Sequence, residues 1–217
     1  MVFGIWAKVH DMKGRVTQQV EAYDGRTTLP LSATSVTTST NRATNYSYDG
    51  LCHIYQLTAV MPTGTNSQTT QYNYGVTAGT GASTISSNDL LASIQYPDKT
   101  AGTLGTNASD KQSYTYNAAG QPLSFTDQNA TVHAYTYDLL GRKTADAVTI
   151  ASGNPQGVDT TVLARTFTFD TGDRPYQFTT YNAASGGSVV NQVEDLYNGL
   201  GNRHVKGMRS GAELGCT

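Results

Sequence analysis

Charge is scarce in this chain. Asp, Glu, Lys and Arg make up 14 % of its 217 residues, against about 25 % in ordinary soluble domains. The net charge of −2 leaves no basic field to gather nucleic acid or anionic lipid. Long apolar runs are missing too, and no stretch approaches the ~20 apolar residues that a membrane-crossing helix needs. The two cysteines, Cys52 and Cys216, make neither a CxxC motif nor a disulfide framework. Residues Met1 to His10 lack a cationic start, and Val2–Ala7 is too short for the apolar core of a secretion signal. The expectation is an internal piece of a longer polypeptide. Leu, Lys, Glu and Arg, the residues that fill helices, are sparse.

What the chain has instead is 14 Tyr, 22 Gly and an excess of Thr, Ser and Asn. Aromatic and β-branched residues build strands, and Gly, Asn, Asp and Ser build turns. Apolar residues reach only 37 %, so tyrosine must supply burial, its ring apolar and its hydroxyl bonded or wet.

These residues recur in a unit. Tyr114-Thr-Tyr116-Asn117-Ala-Ala-Gly120-Gln121 is followed 21 residues later by Tyr135-Thr-Tyr137-Asp138-Leu-Leu-Gly141-Arg142. Phe167-Thr-Phe169-Asp170-Thr-Gly172-Asp173-Arg174 is a third copy with its glycine moved one place. Tyr197 to Asn202 keeps the second aromatic and the turn, including Gly201. Tyr46-Ser-Tyr48-Asp49 keeps the front half, and His10-Asp11-Met12-Lys13-Gly14-Arg15 keeps the back. Tyr72-Asn-Tyr74 and Tyr96-Pro97-Asp98 are weaker copies that hold the period.

Each copy encodes strand, turn and strand. In Tyr-x-Tyr the rings at i and i+2 share one face of a strand. Asp or Asn then opens a turn by bonding the backbone ahead of it. The glycine closes that turn with φ > 0, and the Arg begins the return strand. Stacking such hairpins edge to edge buries the aromatic face continuously.

The expected strands are Val16–Tyr23, Tyr46–Tyr48, Ile54–Val60, Leu91–Tyr96, Ser113–Tyr116, His133–Tyr137, Val162–Phe169, Gln177–Tyr181 and Val189–Tyr197. Thr34–Asn41, Pro62–Asp89, Ala151–Val158 and Ala183–Ser188 read as loops, with a partly ordered Tyr72–Val76 inside the second. No helix is expected, and residues 1–217 read as a single all-β repeat region, its best-formed repeats at 111–174.

The Tyr-x-Tyr-Asp-x-x-Gly-Arg unit resembles the YD repeat of RHS-repeat proteins. The resemblance covers most of the chain and is strongest from Lys111 to Arg174. It implies consecutive antiparallel hairpins in a curved sheet, an arc of a hollow β-cocoon. Such shells belong to large bacterial surface or secreted proteins, polymorphic toxins and insecticidal toxin complexes among them, and related repeats occur in animal teneurins. It further implies that the partners are the remainder of a larger polypeptide and an enclosed toxin domain. The Asp-Pro- and Gly-rich end block that precedes such a toxin is not among these residues. Cys52 and His53 stand where Gly and Arg belong, so the turn after Tyr48 is expected to be distorted.

Little here suggests chemistry. His10, His53, His133 and His204 lack metal-ligand spacing, and adjacent strand residues such as Cys52 and His53 point to opposite faces. Asp11, Asp49, Asp138 and Asp170 recur once per repeat, which invites comparison with paired catalytic carboxylates; the turn-opening role accounts for them better. Arg15, Arg142 and Arg174 are expected to cover tyrosine faces or pair with turn aspartates. The expected function is non-enzymatic and structural, with no cofactor and no metal. A second possibility is an extracellular module that binds carbohydrate through exposed tyrosine faces.

Overall fold

A computed structural model describes residues 6–25, 28–37, 41–79, 81–154 and 157–210, the last seven as backbone alone. It is all-β. Among the described residues, fourteen strands follow one another in chain order through a single antiparallel sheet, the arrangement expected of consecutive hairpins. The chain divides into two compact units, residues 1–114 and 115–217.

The first unit holds β1 (Ala7–His10), β2 (Val16–Glu21), β3 (Arg42–Tyr48), β4 (Ile54–Ala59), β5 (Gln68–Val76), β6 (Ser87–Gln95) and the start of β7 (Lys111–Tyr116). The second unit takes over within β7. It continues with β8 (Pro122–Thr126), β9 (Val132–Tyr137), β10 (Lys143–Thr149), β11 (Ala164–Phe169), β12 (Pro175–Tyr181), β13 (Val189–Tyr197) and β14 (Arg203–Ser210).

Two expectations are corrected. Part of the Pro62–Asp89 segment is sheet rather than loop, because β5 and the start of β6 lie in it. Its strand Gln68-Thr-Thr-Gln-Tyr-Asn-Tyr lacks apolar alternation, and amide and hydroxyl side chains bond one another along and across the strands instead. Gln56 donates to Gln71 at 2.9 Å, Gln71 to Asn73 at 2.7 Å and Asn73 to Ser93 at 3.0 Å. The second correction is a helix. Overlapping the Thr34–Asn41 stretch, Ala33–Thr37 forms α1, whose Val36 N–H bonds the Ser32 carbonyl. A single 3₁₀ turn also forms at Ala108–Asp110.

α1 packs against the first unit through Val36. Val36, Leu31, Val20 and Ala43 pack there as the hydrophobic cluster. Beside them Gln18, 2 % exposed, bonds both the N–H and the carbonyl of Leu31 and the side chain of Asn45. A buried amide is tolerated because it is fully bonded. With so few buried apolar residues, cohesion falls to the backbone ladders and to whatever ties one hairpin to the next.

Four hairpins share one irregularity. Register slips by one residue beside the turn, between Val9/His10, Ser47/Tyr48, Lys143/Ala145 and Thr168/Phe169, and between β13 and β14 it slips farther into the strands, at Glu194/Asp195. Each slip is a bulge, which sharpens local twist and re-aims the side chains next to it.

Candidate functional site

The recurring turn is the most elaborate local structure in the chain. In Asp138–Arg142 one carboxylate oxygen, Oδ1, accepts the N–H groups of Leu140 and Arg142 at 3.0 and 2.9 Å. The other, Oδ2, accepts the Arg142 guanidinium through Nε at 2.7 Å and Nη2 at 2.6 Å. The Gly141 N–H closes the turn onto the Asp138 carbonyl at 3.0 Å, with φ +78°. Both guanidinium nitrogens converge on Oδ2, a charge-assisted contact that leaves Oδ1 to the backbone.

Asp11 with Arg15 and Asp170 with Arg174 repeat this arrangement contact for contact. Asn117 and Asn198 keep the two backbone bonds. Asn117 also holds Gln121 through its amide at 2.9 Å. In the third copy Asp173, not Gly172, takes the left-handed conformation, at φ +66°.

The turn after Tyr48 is not distorted, contrary to expectation. Cys52 adopts φ +73° in place of glycine, and Asp49 accepts the N–H groups of Leu51 and His53 at 2.9 and 2.8 Å. His53 Nδ1 lies 2.9 Å from Asp49 Oδ2, where Arg would be. The imidazole is thus a shorter stand-in for guanidinium.

These contacts hold the carboxyls below their ordinary range. For Asp11 the Arg15 N–H leads, and for Asp170 the Arg174 guanidinium does. For Asp138 and Asp49, desolvation pushes upward, but bonds from Arg142 and from His53 outweigh it. A carboxylate bonded on both oxygens and kept ionised is a turn fixture, poorly suited to moving protons.

The turn's cation reaches forward to the next hairpin. Arg15 lies over the Tyr48 ring at 4.4 Å, Arg142 over Phe169 at 4.1 Å and Arg174 over Tyr197 at 4.1 Å. His53 stacks on Tyr74 at 4.4 Å. Arg142 also pairs with Asp173 in the following turn. The ring's hydroxyl reaches back: Tyr48 donates to the Val16 carbonyl, Tyr137 to Pro122 and Tyr197 to Pro175, at 2.7, 2.8 and 2.7 Å. Second aromatic and turn cation therefore clasp neighbouring hairpins together.

The first aromatics lie within strands. Tyr135 pairs in register with Asp146 and sits under Lys143 Nζ at 3.9 Å. Phe167 packs on Phe178 at 5.3 Å. Tyr114, in β7, bonds Gln112, and burial pushes its hydroxyl pKa upward. Tyr46 is half-buried in β3, and Tyr116, at the end of β7, is buried. Gly120 and Gly201 both take positive φ and donate back to Asn117 and Asn198.

A further turn of this type escaped sequence analysis. Asp127 accepts the N–H groups of Asn129 and Thr131 at 2.9 and 2.8 Å between β8 and β9, with Ala130 at φ +59°. It lacks a preceding Tyr-x-Tyr; only the Asp and its spacing signal it. Among the described residues no group of three His, Cys, Asp or Glu side chains could hold a metal ion, and no helix is long and apolar enough to cross a membrane. Cys52 is exposed; Cys216 lies outside the described residues, as does the side chain of His204.

No protein-family model matches the sequence, and no curated protein matches it. Solved structures do. A crystal structure of TcdB2-TccC3-TEV is similar over 94 % of this chain, at 14 % identity and a TM-score of 0.31. A crystal structure of TcdB2-TccC3 without its hypervariable C-terminal region gives the same coverage and identity at 0.30. A structure of the Photorhabdus luminescens Tc holotoxin pore carrying a TccC3 variant matches equally. The chain spans 11 % of the length of each of these.

Proposed function

We propose that this chain is a structural segment of the wall of a large RHS-type repeat protein and catalyses no reaction. The observation that carries this reading is the clasp. The residues that recur in the sequence are those that close each turn and bind it to the next hairpin. Asp138, Asp170 and Asp11 are each bonded on both oxygens, and Arg142, Arg174 and Arg15 are each committed to a carboxylate and a ring. The larger polypeptide would supply further repeats, and its work would be to enclose or display a toxin or surface domain outside or at the surface of a bacterium.

The test combines association with turnover. β1 and β14 are the outermost strands of the sheet among the described residues, and exposed edges recruit further strands. The isolated chain is therefore expected to self-associate in sedimentation velocity as its concentration rises. It should show no hydrolysis of peptide, glycoside, ester or phosphoester substrates above buffer. A concentrated, monodisperse monomer would count against the wall. Turnover that vanishes in Asp138→Asn while circular dichroism is unchanged would replace it with an enzyme.

A further inference from the structure

The turn between β8 and β9 has the frame of the clasped turns but not their cation. Asp127 Oδ1 accepts the N–H groups of Asn129 and Thr131, and the main chain closes from Asp127 to Thr131 and from Ala130 to Asp127. Asp138 makes the same four bonds, and the fifth residue of its turn, Arg142, fills Oδ2 with its guanidinium. Arg15 and Arg174 do so for Asp11 and Asp170, and His53 does for Asp49. The fifth residue here is Thr131, buried and uncharged. Among the described residues no cation pairs with Asp127, whose bonds all fall on Oδ1, so Oδ2 keeps its acceptor capacity.

Asp127 lines a groove of about 550 Å³ between its own turn and the loop that leads into β11. That volume falls within the ~300–1,000 Å³ of ordinary small-molecule sites. A second carboxylate, Asp159, lines the groove from the loop, and Val148 and Val162 give it apolar surface. The Thr161 N–H and then its hydroxyl bond Asp159 at 2.9 and 3.0 Å and hold its carboxyl below the usual range. Both acids are thus oriented and charged before any ligand arrives.

The basic groups of the groove, Arg165 and His133, are already committed. Arg165 on β11 places Nη2 2.8 Å from Oδ2 of Asp146 on β10, and His133 on β9 places Nδ1 2.8 Å from Oδ1. Register explains the meeting, since Asp146 pairs with Arg165, and Val148, two residues on, pairs with His133. Whichever protonation state His133 takes, Asp127, Asp146 and Asp159 outnumber the cations, and the groove stays net negative. Anions are disfavoured, and a chelated metal lacks a ligand group of three among the described residues. An organic cation on an apolar stem fits both the carboxylates and the valines. Guanidinium is the best match, because it is planar, gives up water more readily than ammonium, and is what Arg15, Arg142 and Arg174 bring to the equivalent oxygen.

We propose that this groove binds an alkylguanidinium ligand, its head on Asp127 and its stem along Val148 and Val162. The site stands whether or not the chain belongs to a larger wall. The test is saturation-transfer NMR on the full chain with agmatine and Nα-acetylargininamide, against the lysine and citrulline counterparts of the amide. At least one guanidinium compound should bind saturably, at roughly 1 mM, with the lysine amide weaker and the neutral citrulline amide silent. Saturation by agmatine alone identifies a free small molecule; saturation by the amide identifies the arginine side chain of a peptide. Asp127→Asn should keep the turn, since Asn117 and Asn198 make the same backbone bonds, yet weaken binding about tenfold or more. Val162→Trp, which fills the groove from a loop, should weaken it as much. Asp98→Asn, which removes the same charge from the first unit, should leave it unchanged. Failure of both guanidinium compounds, equal binding of the citrulline amide, or binding that survives Asp127→Asn would overturn the proposal. None of these results bears on sedimentation, so the wall and the guanidinium site fail separately.

Discussion

The hydroxyl of Tyr137 donates to the carbonyl of Pro122 at 2.8 Å, joining the last ring of one hairpin to the first return residue of the hairpin before it. Tyr48 and Tyr197 make the same bond to Val16 and Pro175. Phe169 occupies the equivalent place with no hydroxyl, and the position it would reach belongs to Lys143.

That difference gives a reciprocal pair of substitutions. Tyr137→Phe should destabilise the protein by about 0.5 kcal/mol, the low end for a single hydrogen bond because this one is exposed. Phe169→Tyr should stabilise by a similar amount. Urea midpoints at constant slope would check both, and a gain in neither direction would remove the hydroxyl from the clasp.

Arg142 serves three partners, Asp138, Phe169 and Asp173. Arg142→Ala should lower the denaturation midpoint well beyond Leu139→Ala, whose side chain is fully exposed. Arg142→Lys should fall between, since an ammonium keeps the charge but loses the planar fork. A double-mutant cycle of Arg142 with Phe169 should return a coupling of ~0.5–1 kcal/mol; zero coupling would mean that the stacking contributes nothing.

Two turn positions test backbone conformation in opposite senses. Gly141 sits at φ +78°, and an added Cβ would lie 3.1 Å from Gln121 Nε2, so Gly141→Val should cost about 2 kcal/mol. Ala130 holds φ +59° and is exposed. Ala130→Gly should therefore leave stability unchanged or raise it by up to about 1 kcal/mol. Thermal melts of the two variants should move apart.

The turn carboxyls also set a pH dependence. Asp11, Asp49, Asp138 and Asp170 all have lowered pKa values in the folded chain. Because folding depresses them, their contribution is complete above the unfolded value of about 4. It is lost as pH falls through the folded values. Urea midpoints should therefore drop below about pH 4, and Asp138→Asn with Asp170→Asn should flatten that drop. An unaltered slope would show that these bonds add nothing to stability.

The hairpins were legible wherever an aromatic pair preceded Asp or Asn, because strand propensity and turn chemistry there point the same way. Val189–Tyr197 appears with the bounds read from the sequence. β5 was legible only in its second half, at Tyr72–Val76, since Gln71 and Asn73 are stabilised by amide bonds that no apolar period records. The role of His53 was not legible, because only coordinates show an imidazole reaching both Asp49 and Tyr74. His133, Asp146 and Arg165 are 13 and 19 positions apart, and strand register alone unites them. Propensity reads neighbours along the chain; the groove depends on neighbours across it.

Each clasp ties a hairpin only to the one beside it, and its parts lie within a few residues of the two turns it joins. Hairpin pairs can therefore be duplicated or excised as cassettes, with each new junction finding the same grip waiting. Lengthening such a ribbon requires no redesigned interior, so its span is free to drift with gene duplication while its chemistry stays constant.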